Sequence, residues 1–334
     1  MEIKEQNMPL VSIIATCYNQ ARFVEESLDS IKNQTYSNIE IIITDDCSTD
    51  NSVEIIENWI KKNNHLNCYF IKNEKNIGVS NTLNKALKVI SGKYLQLLAL
   101  DDVILPQKIE NQVMIFESLD ESYALVYGDM MSIDEIGNTI VDDSYFKASF
   151  SCYSGNIFHE IIKVFFFYNQ TALIKIEAIK KIGFQFDKHY ISEDWLFQLR
   201  LSKYFKMYGT KDIVTKYRIV QTSITRQNWT EEKKFYNVVM PSYFTMFYFI
   251  LRYEKRNTQS WILIWNNLQN YLTSLVASHS LSRIKLIRFS VLLFCKSRTI
   301  ADFMMCLSII IYGDLCLYQS YIKFKNSILH KKAI

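Results

Sequence analysis

The stretch PLVSIIATCYNQARFVEESLDSIKNQTYSNIEIIITDDCSTDNS, residues 9–52, decides the fold class. It contains one β-branched apolar run at residues 10–16 and a second at residues 39–46. Between them, residues 21–33 place apolar side chains at helical spacing. The order strand, helix, strand predicts two parallel strands joined by a crossover helix, and continuous apolar strands favour a sheet covered on both faces.

The same alternation continues along the chain as far as about residue 118. The pattern predicts helices at residues 48–62 (capped by Ser48 or Thr49) and 80–90, strands at 67–73 and 93–100, and a helix from near Pro106. This pattern predicts an α/β fold with an open, mostly parallel sheet and flanking helices. Ligands of such sheets bind beyond the carboxyl ends of the strands.

Composition places the chain among globular proteins. It has 334 residues, 49% of them hydrophobic and 22% charged, which suggests two domains. Seven cysteines without CxxC spacing indicate reduced thiols and a cytoplasmic protein. The five histidines show no metal-ligand spacing. The first ten residues lack the apolar core of a signal peptide, and no run of about 18 apolar residues predicts a spanning helix.

Each predicted strand is followed by polar residues. The four sets are Thr16–Asn19, Asp45–Ser48, Asn76–Val79 and Asp101–Asp102. We expect them to converge on one edge of the sheet. The first turn lacks the glycines of a dinucleotide-binding fingerprint, and the chain has no GxxxxGK[ST]. A pyrophosphate at this edge would therefore need a divalent metal held by carboxylates.

Each of these residues has a chemical and a structural interpretation. Tyr18 can stack on a nucleobase, and Asp46 can accept a hydrogen bond from a ring N–H such as that of uracil. Taken singly, Tyr18 is equally a packing aromatic, while Asp46 and the Asp101–Asp102 pair are equally helix caps or turn residues. Four polar strand ends together favour a nucleotide site.

The whole set of motifs resembles inverting glycosyltransferases of family 2, which have the GT-A fold. The resemblance covers residues 8–225 and rests on residues 9–52 together with KNIGVSNTLNKAL (75–87), LALDDVILP (98–106) and SEDWLFQLR (192–200). It implies a first domain at residues 1–225 and transfer of a sugar from a nucleotide sugar, with UDP as the expected nucleotide. It also implies Mn²⁺ or Mg²⁺ as the cofactor.

The resemblance also assigns roles to individual residues. It implies that Thr16, Tyr18 and Asp46 hold the nucleoside. Asn76 and Gly78 would form the loop beside the nucleotide, and Asp102, with Asp101, would bind the metal and the donor diphosphate. Asp194 matches the catalytic base, which takes the proton of the acceptor hydroxyl while the anomeric centre is inverted. Glu193 binds the acceptor, orients that base or has a structural role, and Trp195 is expected in the core. Arg218 could reach the diphosphate.

Two positions depart from the family pattern. The first aspartate of the metal motif is Ala99 here, so Asp101 and Asp102 would have to hold the metal alone. The glycine that usually follows the acidic pair of the second strand is Cys47. The first departure bears on metal affinity and leaves the fold unaffected.

Residues 226–334 have a different composition. They carry 15 Lys and Arg against 5 Asp and Glu, although the whole chain has a net charge of only +4. An apolar helical face predicted around residues 284–295 is flanked by cations, and the apolar run at 303–312 is too short to span a bilayer. The pattern favours a helical region lying on an anionic membrane surface, and a helical cap that packs on the first domain is the alternative.

Together these features predict a hexosyltransferase on the inner face of the cell membrane. Its acceptor would be a saccharide, such as a glycan on an undecaprenyl-pyrophosphate carrier in O-antigen or capsule synthesis, and no nucleic-acid partner is expected. Ala99 keeps open a catalytically idle subunit that binds nucleotide sugars or glycans in a polysaccharide assembly. A nucleotidyltransferase is less consistent, because TCYNQ contains no glycine-rich phosphate loop.

Overall fold

The computed structural model describes residues 8–140, 152–163, 165, 167–186, 193–221, 223, 258–260, 262–264 and 266–267. Two units divide the chain, Met1–Ser223 and Ile224–Ile334. The apolar faces predicted at residues 284–295 and 303–312 lie outside the described residues, so the membrane-associating region stays a prediction. The proposed boundary near residue 225 also stays a prediction.

Eight strands of the first unit form one sheet. They are β1 (Val11–Cys17), β2 (Ile39–Asp45), β3 (Cys68–Lys72), β4 (Tyr94–Ala99), β5 (Val103–Ile104), β6 (Tyr123–Ile133), β7 (Ala172–Lys175) and β8 (Lys206–Arg218). Their spatial order is β3-β2-β1-β4-β7-β6-β8-β5. The first four strands in this order are parallel, whereas β7 runs antiparallel to both β4 and β6. The predicted mostly parallel α/β sheet is confirmed.

Seven helices accompany the sheet within the described residues. They are α1 (Val24–Lys32), α2 (Ser52–Lys62), α3 (Val79–Ala86), α4 (Lys108–Ser118), α5 (Phe158–Lys163), α6 (Ile176–Lys181) and α7 (Glu193–Ser202). α2 begins later than predicted: its N-cap is Asn51, and Ser48 bonds Asp45 instead of capping the helix. Among the described residues, no helix has the length and apolarity needed to cross a membrane.

The core lies on both faces of the central strands. Ile13 and Ile14 are consecutive in β1 and point to opposite faces, yet both are fully buried. Helix α1 covers one face with Val24, Leu28 and Ile31, which recur at helical spacing. The sheet is therefore solvent-free at its centre, and polar groups collect where its strands end.

Candidate active site

The carboxyl ends of β1 to β4 lie side by side. Cys17 of β1 pairs with Asp45 of β2, and Thr16 of β1 pairs with Ala99 of β4. The hydrogen bonds continue past the strands, because the N–H groups of Asp46 and Leu100 donate to the carbonyls of Cys17 and Thr16. The predicted convergence of Thr16–Asn19, Asp45–Ser48, Asn76–Val79 and Asp101–Asp102 on one edge is confirmed. We call the segments at residues 17–20, 45–50, 73–78 and 101–102 the four strand-end loops.

Side chains tie the first two of these loops together. The N–H of Asn19 donates to Ser48 Oγ (2.8 Å), and Asn19 Oδ1 accepts from the N–H of Thr49 (2.7 Å). Asn19 and Cys47 both adopt positive φ, 54° and 64°, which is rare for residues with a side chain. The chain thus adopts two unfavourable conformations beside the predicted nucleotide site.

Asp46 organises the loop after β3. Its Oδ1 accepts from the N–H of Ile77 (2.9 Å) and from Asn73 Nδ2 (3.0 Å), and its Oδ2 accepts from the N–H of Gly78 (2.8 Å). Asn76 Oδ1 also accepts from the N–H of Gly78 (3.2 Å). The predicted residues Asp46, Asn76 and Gly78 therefore form one cluster. Gly78 has φ 82°, and a Cβ would meet nothing within 4 Å, so only its backbone conformation favours glycine.

Thr16 and Tyr18 lie at the end of β1, on the same edge of the sheet. Thr16 is half-buried, and its hydroxyl donates to the carbonyl of Leu98 at 3.5 Å. Tyr18 is 42% exposed, on the loop that Asn19 fixes. An exposed ring on a fixed loop is available for stacking on a planar ligand, in contrast to the packing role that we considered from the sequence.

The Asp101–Asp102 turn is fixed by Arg218 at the end of β8. Asp102 Oδ1 accepts from the N–H of Arg218 (2.8 Å), and the carbonyl of Asp101 accepts from Arg218 Nε (2.9 Å). The guanidinium also donates to Glu26 and to the carbonyls of Asp134 and Glu135. Its side chain is 1% exposed, so Arg218 fixes the acidic turn through these hydrogen bonds, and its contact with a diphosphate stays a prediction.

The two carboxyl groups repel each other in a buried environment. Burial raises the pKa of Asp101. Burial, followed by the neighbouring Asp101 charge, raises the pKa of Asp102 well above its usual range, and Arg218 opposes this only in part. Burial therefore disfavours the charged forms of both carboxyl groups, and a positive charge beside them would lower both pKa values.

Gln20 and Gln170 complete the surroundings of the pair. Their side chains lie near Asp101 and Asp102 respectively, and each lowers the pKa of its neighbour. The Oε1 atom of Gln20 is buried and has no hydrogen-bond partner among the described residues. A hard oxygen without a partner therefore lies in the side chain that contacts Asp101.

A buried lysine lies beneath this turn. Lys108 is 1% exposed and donates to the side-chain oxygens of Gln96 and Gln112. Gln96 Nε2 in turn donates to the carbonyl of Gln170 (2.9 Å). Burial lowers the pKa of Lys108 well below its usual range. This network connects β4 and α4 to the residue that contacts Asp102.

A second acidic pair, Glu193–Asp194, begins α7. Asp194 Oδ1 accepts from the N–H of Trp195 at 2.8 Å. Burial raises the pKa of Asp194 to about 6, and burial together with the Asp194 charge raises the pKa of Glu193 to about 8. Near neutral pH the pair therefore carries about one proton, which these pKa values place on Glu193.

Aromatic rings lead from the second acidic pair toward the first. Trp195 is 4% exposed, and its indole N–H donates to the carbonyl of Ile161 (2.7 Å), so its predicted core position is confirmed. Its ring lies 6.2 Å from Phe165, which contacts Tyr168 at 5.0 Å, and Tyr168 stacks on Tyr217 at 5.9 Å. Tyr217 directly precedes Arg218 in β8.

Sequence patterns pointed to most, though not all, of these groups. Asn73 ends the third predicted strand, and that position could have identified it. Gln20 and Lys108 gave no comparable signal, because an isolated glutamine or lysine in a helical or turn segment is usually a solvated surface residue. Their importance follows from burial, which only the folded chain shows.

Comparison with known proteins identifies the family. Residues 12–183 match the model of glycosyl transferase family 2. TuaG of Bacillus subtilis, which carries the description of a teichuronic acid biosynthesis glycosyltransferase, is 28% identical over 235 residues, 68% of this chain and 85% of TuaG.

Two solved structures share the fold. S. aureus TarS 1–349 in complex with UDP-GlcNAc has a TM-score of 0.63 at 17% identity. The matched residues cover 94% of this chain and 92% of the TarS chain. The mannosyltransferase PcManGT of Pyrobaculum calidifontis, in complex with GDP-Man and Mn²⁺, has a TM-score of 0.59 at 15% identity and covers 96% and 84%. The similarity in fold, the strand-end acidic site and the family match agree, and the chain belongs to glycosyl transferase family 2.

Proposed function

We propose that this glycosyltransferase moves a hexose from a UDP-sugar to a saccharide acceptor with inversion, in the synthesis of a surface polysaccharide. The observation that carries the proposal is the placement of the Asp46 cluster and the Asp101–Asp102 turn on one edge of the sheet, at the ends of β2 and β4 on either side of β1. Two similar proteins support the substrate class. TuaG is named for teichuronic acid biosynthesis, and TarS binds UDP-GlcNAc in its solved structure.

The donor nucleoside binds between the first two strand-end loops. The exposed ring of Tyr18 stacks on the base, and Thr16 lies at the same strand end. Asp46 accepts three hydrogen bonds, and a carboxylate has about four acceptor positions, so it retains room for one ring N–H. Asn76 and Gly78 hold the loop beside it.

Asp101 and Asp102 fit a divalent cation. Within the described residues, no group of three or more His, Cys, Asp or Glu side chains is arranged to hold a metal. Mg²⁺ is nevertheless commonly bound by one or two carboxylates together with substrate phosphates. The raised pKa values of Asp101 and Asp102 and the unpartnered Gln20 Oε1 are consistent with Mn²⁺ or Mg²⁺ there. When bound, the cation would offset the charge that develops on the leaving diphosphate.

Asp194 takes the proton of the acceptor hydroxyl. A base works best when its pKa lies near the operating pH, and a pKa of about 6 leaves Asp194 ionised yet basic at neutral pH. Glu193, with a pKa of about 8, stays protonated at neutral pH, so it places no second negative charge beside the base. The neutral Glu193 can also donate a hydrogen bond to Asp194 or to the acceptor.

A screen of nucleotide sugars tests the proposal. The full chain is mixed with UDP-, GDP- and dTDP-sugars, with Mn²⁺, Mg²⁺ or chelator, and with or without an undecaprenyl-pyrophosphate-linked saccharide. We expect release of UDP that requires metal and rises with acceptor. Binding of a UDP-sugar without any release or transfer would favour the idle binding subunit, for which Ala99 is the specific observation.

The acceptor and the cellular location belong to the same proposal. The 15 basic residues among residues 226–334 would hold the protein on the cytoplasmic face of an anionic membrane, each contributing about 1 kcal/mol. A lipid-linked acceptor would be presented at that surface. Flotation of the full chain with anionic and neutral vesicles measures this. Binding to anionic vesicles that weakens with salt supports this location. A chain that floats with neither kind of vesicle contradicts it.

A further inference from the structure

Asn84 pairs with the peptide group of a residue 102 positions away. Its Nδ2 donates to the carbonyl of Phe186 (2.6 Å), and its Oδ1 accepts from the N–H of Phe186 (2.9 Å). Because a peptide group offers one donor and one acceptor, this pairing also fixes which way the amide is turned. The side chain of Asn84 therefore makes the two hydrogen bonds that a neighbouring strand would otherwise make to Phe186. We call this pair of hydrogen bonds the Asn84 clamp.

On one side, the clamp holds the helix that begins at the predicted nucleotide loop. Asn84 lies in α3, whose N-cap is Gly78. The N–H of Gly78 donates to Asp46 (2.8 Å), and Thr82 of the same helix accepts from Asn73 (3.0 Å). Asn84 lies six positions after Gly78, so the clamp lies about 9 Å along the helix from the nucleotide loop.

On the other side, the clamp holds the segment that packs against α7. The ring of Phe186 lies 5.7 Å from Phe197, and Phe184 lies 4.8 Å from the same ring. Arg200 Nη2 donates to the carbonyl of Ile182 (2.9 Å). Phe197 is 1% exposed and lies three residues after Asp194, on the adjacent turn of the helix.

We propose that Asn84 is a positioning residue, which holds the proposed base Asp194 at its working distance from the donor nucleotide. This inference rests on the proposed function, because it needs Asp194 to act on the acceptor. The contacts form one continuous path from Asp46 through Gly78, Asn84, Phe186 and Phe197 to α7. Asn84 itself touches neither the nucleotide cluster nor Asp194 in any contact described above.

The variant Asn84→Leu keeps most of the side-chain volume and removes both hydrogen bonds. Since a misplacement of about 1 Å can cost about 100-fold in rate, we expect kcat to fall about 10- to 100-fold. The donor Kd should change less than about twofold, because the Asp46 cluster stays intact. Asn38→Leu is the matched control. It removes a hydrogen bond from the side-chain amide of Asn38, just before β2, to the carbonyl of Met8 (2.7 Å) and should leave kcat unchanged.

A double variant separates positioning from general stability. In an Asp194→Asn background there is no base left to position, so Asn84→Leu should lower the residual rate less than twofold. Full additivity of the two losses would overturn the inference, as would a wild-type kcat in Asn84→Leu. Should Asn84→Leu fold poorly by circular dichroism, Asn84→Asp keeps the acceptor for the N–H of Phe186, loses only the donor and is expected to give a smaller loss of kcat.

The two proposals fail in different arms of this experiment. Absence of nucleotide-sugar transfer by the wild type, or full activity of Asp194→Asn, defeats the proposed function and with it the positioning role. A wild-type rate in Asn84→Leu, with Asp194→Asn inactive, defeats only the positioning role.

Discussion

The strand-end loops and helix α7 each present an acidic pair, and the two pairs are held in different ways. Asp101–Asp102 lies in a polar frame, where the N–H and Nε of Arg218 bond the turn. Glu193–Asp194 begins a helix whose following residues, Trp195 to Leu199, are all buried. The first pair is positioned by hydrogen bonds, and the second is positioned by apolar packing.

This difference separates the two kinds of chemistry that a sugar transfer needs. A polar frame with a buried guanidinium keeps two carboxylates close together in a fixed geometry, as a cation site requires. An apolar setting raises the pKa of Asp194 to about 6, as a proton acceptor requires. Substitutions in the two pairs should therefore affect different kinetic constants.

Loss of the base should give the largest effect. Asp194→Asn retains the size of the side chain and removes its ability to accept a proton, so kcat for transfer should fall about 10²- to 10⁴-fold. Donor binding, measured by calorimetry with a UDP-sugar and Mn²⁺, should stay within about twofold. A loss of donor affinity equal to the loss of rate would place Asp194 in the donor site and remove the contrast between the pairs.

Substitution in the first pair should affect binding and rate together. Asp102→Asn removes a charge from the turn, and we expect transfer to fall about 10²- to 10³-fold, with weaker Mn²⁺ binding by electron paramagnetic resonance. The N–H of Arg218 can still bond the amide oxygen, so the melting temperature should change little. Full activity of this variant, or of the wild type in excess chelator, would contradict a cation at Asp101–Asp102.

With saturating Mn²⁺ and donor, the acid limb of the pH dependence of kcat should report Asp194. Asp194 accepts a proton only as a carboxylate, so kcat should fall about tenfold per pH unit below its pKa of about 6. Glu193→Gln is the matched control, because it removes the group with a pKa of about 8 and leaves the acid limb in place. An acid limb that persists in Asp194→Asn would show that another group sets it.

The sequence predicted the strand ends better than the contacts between them. Alternating apolar runs depend on local periodicity, so β1 to β4 and the positions of Asp46 and Asp102 followed directly. The pairing of Asn84 with Phe186 joins residues 102 apart and depends on where both segments pack. Likewise, nothing in the local pattern distinguishes a buried Lys108 from an exposed one. The structure also inserts β7 antiparallel between β4 and β6, which local periodicity does not reveal.

The smallest predicted effect concerns the frame of the first two strand-end loops. Cys47 and Asn19 both adopt positive φ. The side chain of Asn19 joins the first two loops at 2.7 Å to the N–H of Thr49, whereas the Cys47 thiol makes only a long contact of 3.6 Å to the carbonyl of Glu74. A left-handed conformation costs a residue with a Cβ roughly 1–2 kcal/mol. Glycine avoids this cost but makes the unfolded chain more flexible, which lowers stability by about 0.4–1 kcal/mol. Cys47→Gly should therefore raise the free energy of unfolding by about 0–1 kcal/mol.

Asn19→Gly relieves less strain, because asparagine tolerates the left-handed region, and it loses both bonds that Asn19 Oδ1 accepts from Thr49, so it should lower the free energy of unfolding by about 1 kcal/mol. Urea denaturation of the two variants measures the difference directly. Equal shifts would mean that the side chain of Asn19 contributes nothing to the frame. The polar construction that distinguishes the strand-end loops from helix α7 would then depend on Arg218 and the Asp46 cluster alone.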